Sequence, residues 1–298
     1  IFTIAPRINA AGRLRSGKFA VELMISEDEG VIHELAEEIE EDNIERRKLD
    51  QEITAEALSM IEKDDKASKH SSTVLFQPHW HKGVVGIVAS RVMETYYKPT
   101  IILTESNGVV TGSARSVLGF DVHQAIDNCA HLLEAYGGHK YAAGLTMNRQ
   151  NLDEFINEFE AQVSKSINKT LLVQEQIVDR ELNFKDIFGK EENRMKTPRV
   201  KRILAQFEPH GPGNMKPVFL SKNVFATDIR ILKEKHLKLA MTQPGDNVLL
   251  EGIGFGLADR MDDIAAGLPF DVAYTLEINR WKNRETLQLN IKDIRSSI

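Results

Sequence analysis

Residues 135 to 147, AYGGHKYAAGLTM, set two glycines before a histidine and follow them with a run of small residues. The reading of this stretch decides the order of elements around it. Taken locally, VHQAIDNCAHLLEAY (122–136) has helical period behind Asp121 as N-cap, Gly137 and Gly138 close that helix, and YAAGLTM (141–147) is a strand. The competing reading is that the glycines bare their amides toward a ligand, with no Cβ in the way. Working outward, STVLFQ (72–77), TIILTES (100–106) and VVTGSARS (109–116) read as strands, the last two joined by the turn Asn107-Gly108. KGVVGIVASRVMETYY (82–97) and NLDEFINEFEAQVSKSI (151–167) have helical length and period. The expectation is a β-α-β-β-α-β-α unit with a mixed sheet, from about residue 71 to 167.

Two further regions flank this unit. VIHELAEEIEEDNIERRKLDQEITAEALSMIEKDD (31–65) has no proline and reads as one long helix. Its apolar residues keep helical spacing near both ends, but between them the stripe falls on Asn43 and Arg46, so a strut with a wet centre is expected. A coiled-coil partner is the alternative. In the last third, VFATDIRIL (224–232), LKLAMTQ (237–243), NVLLEGIGFG (247–256), FDVAYTLEIN (270–279) and TLQLNIKDI (286–294) are strands with period-two patterning. Only LADRMDDIAAG (257–267) interrupts them with something helical. Five strands and one helical insertion suit a small antiparallel barrel of the OB type, with a β-sandwich as competitor.

The chain has 298 residues, 42% of them apolar, enough for two cores or more. Charged residues make up 28%, no apolar run is long enough to cross a bilayer and the residues from Ile1 onward do not read as a basic-then-apolar leader, so a cytoplasmic protein without membrane partners is expected. The start at Ile1 suggests a chain cut from something longer. A single cysteine, Cys129, supports neither an internal disulfide nor a cysteine-based zinc site, and burial on a helix is its expected fate. The net charge of −6 is uneven. Residues 34–65 hold 13 acidic and 4 basic side chains, which leaves +3 for the rest, and residues 199–240 hold 9 basic against 3 acidic. A locally basic surface for nucleic acid and a solvated lysine-rich face both fit that pattern.

Several side chains could carry chemistry. On VVTGSARS, Thr111, Ser113 and Arg115 share a strand face, and a hydroxyl beside a guanidinium fork suits phosphate oxygens. An ordinary surface or ion-paired arginine is the bland alternative. His139 could donate to a phosphate or assist proton transfer. Arg230, Lys233, Lys235 and Lys238 surround one hairpin, and Trp281 sits among Arg280, Lys282 and Arg284 in another, where stacking on a base competes with cross-strand packing.

PRINAAGRL (6–14), HWHKGVVGIVASR (79–91), GSARS (112–116), GGHKYAAG (137–144) and EPHGPGNMKPVF (208–219) occur in this order, and together they resemble the RecJ family of single-strand-specific 5′-to-3′ DNA exonucleases in the DHH phosphoesterase superfamily. The resemblance implies the tail of a catalytic domain over 1–30, an interdomain helix over 31–67, a DHH-associated α/β domain over 68–170 and an OB-fold barrel over 171–298. It implies phosphodiester hydrolysis releasing mononucleotides, in DNA recombination and repair, by water activated between manganese or magnesium ions. The family's metal-binding aspartate motifs and Asp-His-His are absent from this sequence, so no metal is expected on these residues, and the chain alone is expected to be inactive. By resemblance, Ser113, Arg115, Gly137, Gly138 and Arg7 bind the 5′-phosphate end and His139 approaches the scissile phosphate. Arg13, Trp80 and His81 are further candidates for DNA contact, with core packing the alternative for Trp80. Phenylalanine is common in the family where this chain has His210. Single-stranded DNA is the expected partner, and single-strand-binding protein a candidate one. A non-catalytic strand-binding module and a DHH phosphoesterase for short oligonucleotides are the competing functions.

Overall fold

A computed structural model describes residues 3–64, 69–188, 199–245, 247–264, 267–281 and 284–297. The chain forms two compact units, 1–174 and 175–298, so the segments expected at 1–30, 31–67 and 68–170 share one unit.

That unit opens with three helices, α1 (Ala5–Leu14), α2 (Lys18–Ile25) and α3 (Glu29–Glu62). Asp28 caps α3, its carboxylate accepting from the amides of Gly30 and Val31 at 2.8 and 3.2 Å. The helix is continuous for 34 residues. The wet centre expected from the sequence is instead polar and buried: Asp42, Asn43 and Asp50 are at most 2% exposed. The reason lies outside the helix. Arg15 reaches Asp42 at 2.9 Å, and Arg91 holds both oxygens of Asp50 at 2.7 Å, with Arg46 at 3.8 Å. Burial holds the Arg46 guanidinium below its ordinary pKa and pushes the Asp42 carboxyl above its own. Removing one partner of such a pair leaves the other charge buried without compensation. Asp50→Ala is therefore expected to cost about 3 kcal/mol of unfolding free energy in urea, with Arg46 stranded. A loss below about 1 kcal/mol would mean the pair behaves like a solvated surface contact.

The sheet of this unit runs through β1 (Thr73–Phe76), α4 (Val85–Tyr96), β2 (Thr100–Ser106), β3 (Val109–Arg115), α5 (Val122–Asp127), β4 (Ala135–His139), β5 (Ala142–Met147) and α6 (Leu152–Ser166). Its strand order is β1-β2-β3-β5-β4, with β1 parallel to β2 and the other pairs antiparallel. Asn107 and Gly108 both take positive φ, 55° and 79°, which closes the β2–β3 hairpin as its sequence requires.

One element differs from the sequence reading. The helix after Asp121 ends at Asp127, a 3-10 turn covers Ala130–Leu132, and residues 135–139 form the edge strand β4. Gly137 and Gly138 therefore do not cap a helix. They pair with Gly144 and Ala143 of β5, whose small side chains let a glycine-bearing strand lie flat against it.

Ile101, Val110, Leu145, Phe155 and Phe159 fill one side of the sheet under α5 and α6. Ile102, Val85, Val88 and Ile53 join α4 and α3 on the other. Cys129 lies at the head of the 3-10 turn in the first of these cores, where burial pushes its thiol up to about 12. No helix among the described residues is long and apolar enough to cross a membrane.

The second unit contains β6 (Arg180–Glu181), α7 (Phe184–Phe188), α8 (Arg199–Leu204), β7 (Phe219–Leu232), β8 (His236–Thr242), β9 (Leu250–Gly254), β10 (Phe270–Trp281) and β11 (Arg284–Ser296). β10 pairs with both β11 and β7, which closes five strands into a barrel and rules out the sandwich. The barrel is not wholly antiparallel, because β9 and β11 run parallel, and the insertion at 258–264 is 3-10 rather than α-helical. Closed order β7-β8-β9-β11-β10 is the OB arrangement. Phe184, Phe270 and Tyr274 lie fully buried inside it, and burial pushes the Tyr274 phenol up to about 12 although Ser221 bonds it at 2.9 Å.

Candidate functional site

Ser113 and Arg115 alternate onto the α4 side of β3. A Cβ added to Gly86, in the first turn of α4, would stand 3.0 Å from the Arg115 Nη2 and 3.2 Å from the Ser113 Oγ. A glycine there lets the guanidinium lie against the helix end. Arg115 donates to Ser113 Oγ at 2.8 Å and to the Ala114 carbonyl at 2.7 Å, and among the described residues no carboxylate pairs with it. Burial first, and the nearby Arg13 second, hold its pKa below the ordinary arginine value. Two cations thus lie close together without an acid between them, beside a helix N-terminus whose first amides have no acceptor within the helix. This favours an anion site over the ion-paired reading of Arg115.

Arg13 is held there by backbone contact. Its guanidinium donates to the Gly83 carbonyl at 3.3 Å, and a Cβ on Gly83 would fall 2.1 Å from the Arg13 carbonyl oxygen. His81 Nδ1 accepts from the Gly83 amide at 3.1 Å, so this histidine shapes the loop ahead of α4. Arg7 is elsewhere. It ion-pairs with Glu40 of α3 and donates to the Thr3 carbonyl, whereas Arg13 is the α1 arginine beside Arg115. Six residues along α1 amount to about 9 Å and a different face, which the motif's spelling does not reveal.

The strand register extends the site. His139 pairs with Ala142 and Ala142 with Arg115, while Gly137 pairs with Gly144 and Gly144 with Ser113. Two strand spacings separate His139 from Arg115, about 10 Å, so the sheet aligns the two without contact. Ala142 stands between them, and one same-face step along the strands, level with Ser113, lies a floor of backbone. Gly137 and Gly144 are exposed, and a Cβ on Gly137 would meet nothing within 4 Å. Gly138 is required by the hairpin itself, since its φ is 148° and a Cβ there would lie 2.3 Å from the Ala142 carbonyl oxygen.

Trp80 is 2% exposed, packs in the core with α3 and α4, and donates to Glu56 at 2.8 Å. That placement leaves it no face free for a base. The basic hairpin is partly neutralised: Arg230 pairs with Asp228 at 2.9 Å and Lys238 with Glu251 at 3.0 Å. Lys233 and Lys235 are exposed at its tip. Beside that tip the sequence reading missed Phe255, 59% exposed with its ring 5.3 Å from His236. NVLLEGIGFG gave the signal, since its phenylalanine stands between two glycines where period-two burial ends. Trp281 ends β10, and its side chain, with Lys282, lies outside the described residues.

Among the described residues no three His, Cys, Asp or Glu side chains converge as metal ligands. These residues do not fit the manganese or magnesium centre of phosphodiester hydrolysis, and no bond-breaking step is assigned to them.

Comparison with known proteins matches residues 48–165 to the DHHA1 domain and residues 179–293 to the RecJ OB domain. The single-stranded-DNA-specific exonuclease RecJ of Bacillus subtilis is 32% identical over 294 residues, covering 98% of this chain and 36% of that protein. RecJ of Escherichia coli is 29% identical over 300 residues, covering 98% and 50%. The crystal structure of Thermus thermophilus RecJ in complex with Mn2+ superposes with a TM-score of 0.80 at 28% identity, over 99% of this chain and 41% of that one. The chain thus spans about a third to a half of the length of these relatives.

Proposed function

We propose, from the premise that this chain carries the DHHA1 and OB domains of the RecJ C-terminal region, that it supplies the DNA-holding half of a single-strand-specific 5′-to-3′ exonuclease. The observation that carries this is the convergence of Arg13, Arg115 and Ser113 on the first turn of α4, without a carboxylate among the described residues. A terminal phosphate would offer three oxygens to that set: the two guanidinium groups take its charge, and the serine hydroxyl and free helix amides fix its direction. The strand would then cross the glycine floor to His139. At about 10 Å from Arg115, His139 meets a different phosphate from the one Arg115 holds. Metal-activated hydrolysis belongs to the aspartates and histidines of a catalytic domain that these residues do not provide. The OB barrel extends the grip on the strand, with Phe255, Lys233 and Lys235 at one rim.

The test is anisotropy with labelled single-stranded and duplex oligonucleotides over a salt series. Single strands are expected to bind more tightly, with log K falling by roughly 0.7 per phosphate contacted for each unit of log salt. The purified chain with Mn2+ or Mg2+ is expected to release no nucleotides. Metal-dependent digestion by the chain alone, or equal affinity for duplex, would overturn this division of labour.

A further inference from the structure

The OB unit holds a cleft of about 480 Å³ outside the barrel wall. It falls in the roughly 300 to 1,000 Å³ range of small-ligand sites. Its floor is the outer face of β10, where Thr275 and Glu277 share one side by strand alternation, and α8 and the EPHGPGNMKP segment form its walls. Two polar atoms there are buried with no hydrogen-bond partner: the Oγ1 of Thr275, a residue only 3% exposed, and the Nδ1 of His210. A polar atom buried unpaired is costly, and two on one cleft point to a ligand that satisfies both. Glu277 Oε1 accepts from Lys216 and Asn290, each at 3.1 Å, while Oε2 has no partner among the described residues.

We infer that this cleft receives one unstacked nucleobase of the bound single strand. The chemistry selects against a free anion, because the cations of the lining are already paired: Lys201 with Glu208 at 3.6 Å, Lys216 with Glu277 at 3.1 Å and Arg280 with Glu285 at 2.8 Å. It also selects against a purely apolar guest, because of the unpaired hydroxyl and imidazole. A neutral planar heterocycle with alternating donors and acceptors along one edge fits. Its exocyclic amine would donate to Glu277, and its ring nitrogen or carbonyl would meet the Thr275 hydroxyl, about 7 Å along the same strand face. Leu204 and Pro217 offer apolar walls to its faces. A second opening of about 440 Å³ reaches His210, Thr275 and Glu277 from another side, so the backbone of a strand need not end at the cleft.

This inference rests on the proposed single-strand binding and is separable from it. The chain is titrated with single strands carrying one abasic residue, stepped along the sequence, and the same series is run on Thr275→Val/Glu277→Gln. At one position the abasic strand is expected to bind about tenfold more weakly than the intact strand. In the double variant that penalty is expected to fall below about twofold, while the salt slope and the melting temperature stay as in the parent. An abasic penalty unchanged in the variant, or no position-dependent penalty at all, overturns the pocket alone, leaving ordered water as its occupant. Failure of the parent chain to bind any single strand overturns the pocket and the reading beneath it together.

Discussion

Gly138→Ala is expected to destabilise the β4–β5 hairpin by about 2–5 kcal/mol, combining a backbone geometry that L residues avoid with overpacking. The positive φ of 148° is the first cost, and the overlap of a Cβ with the Ala142 oxygen at 2.3 Å and the Ala143 Cα at 2.6 Å is the second. Neither neighbour can swing aside, since both are backbone of the strand that pairs with β3. Because β4 is an edge strand with all five residues exposed, the damage is local. Amide exchange is expected to speed up across 135–139, while amides of β5 bonded to β3 keep their protection. Gly137→Ala is the contrast. Its Cβ would meet nothing within 4 Å, so its stability effect is expected within about 0.5 kcal/mol. If the glycine floor serves a strand of DNA, that harmless substitution still weakens single-strand affinity. A Gly138→Ala protein as stable as the parent, with β4 still protected, would show that the hairpin does not take this geometry.

The contrast between these neighbours shows where the sequence was legible. GGHKYAAG marked a place needing bare backbone, but not that one glycine is demanded by its own strand and the other leaves a surface open. The assignment of 135–139 failed because Gly-Gly after an amphipathic run is compatible both with a cap and with an edge strand. Only the small residues of β5 opposite it decide, and they act through tertiary pairing. The long helix was readable from its lack of breakers, and the β2–β3 hairpin from Asn107-Gly108. The burial of Asp42 and Asp50 was not, because their partners Arg15 and Arg91 come from elements 27 and 41 residues away in sequence. Trp80, flanked by two histidines, has the local look of an exposed aromatic, and only Glu56 of α3, bonded to its indole, accounts for its burial. Motifs show which residues are special. Partners show whether the reason is packing or chemistry.

Arg115→Ala carries the other large expected effect, and its signature separates binding from structure. Charge-assisted hydrogen bonds are worth about 1.5–3 kcal/mol each, so the preference for a 5′-phosphorylated over a 5′-hydroxyl single strand is expected to fall at least about tenfold. Arg115→Lys keeps the charge but loses the fork, and should recover only part of that preference. Stability should move the other way or not at all. Arg115 is half-buried beside Arg13, without a carboxylate among the described residues, and burial first and Arg13 second hold its pKa below the ordinary arginine value. Removing it ends the cost of burying that charge beside Arg13 and loses its bonds to Ser113 and the Ala114 carbonyl. A side chain kept for packing would lower the melting temperature when truncated, whereas one kept for a phosphate leaves it level or raises it while affinity drops. Arg13→Ala should erase the same preference, and the double variant should lose less than the sum, since both cations serve one anion. Equal weakening on phosphorylated and hydroxyl ends would remove the terminal phosphate from this pocket and leave Arg115 as a general contact to the strand.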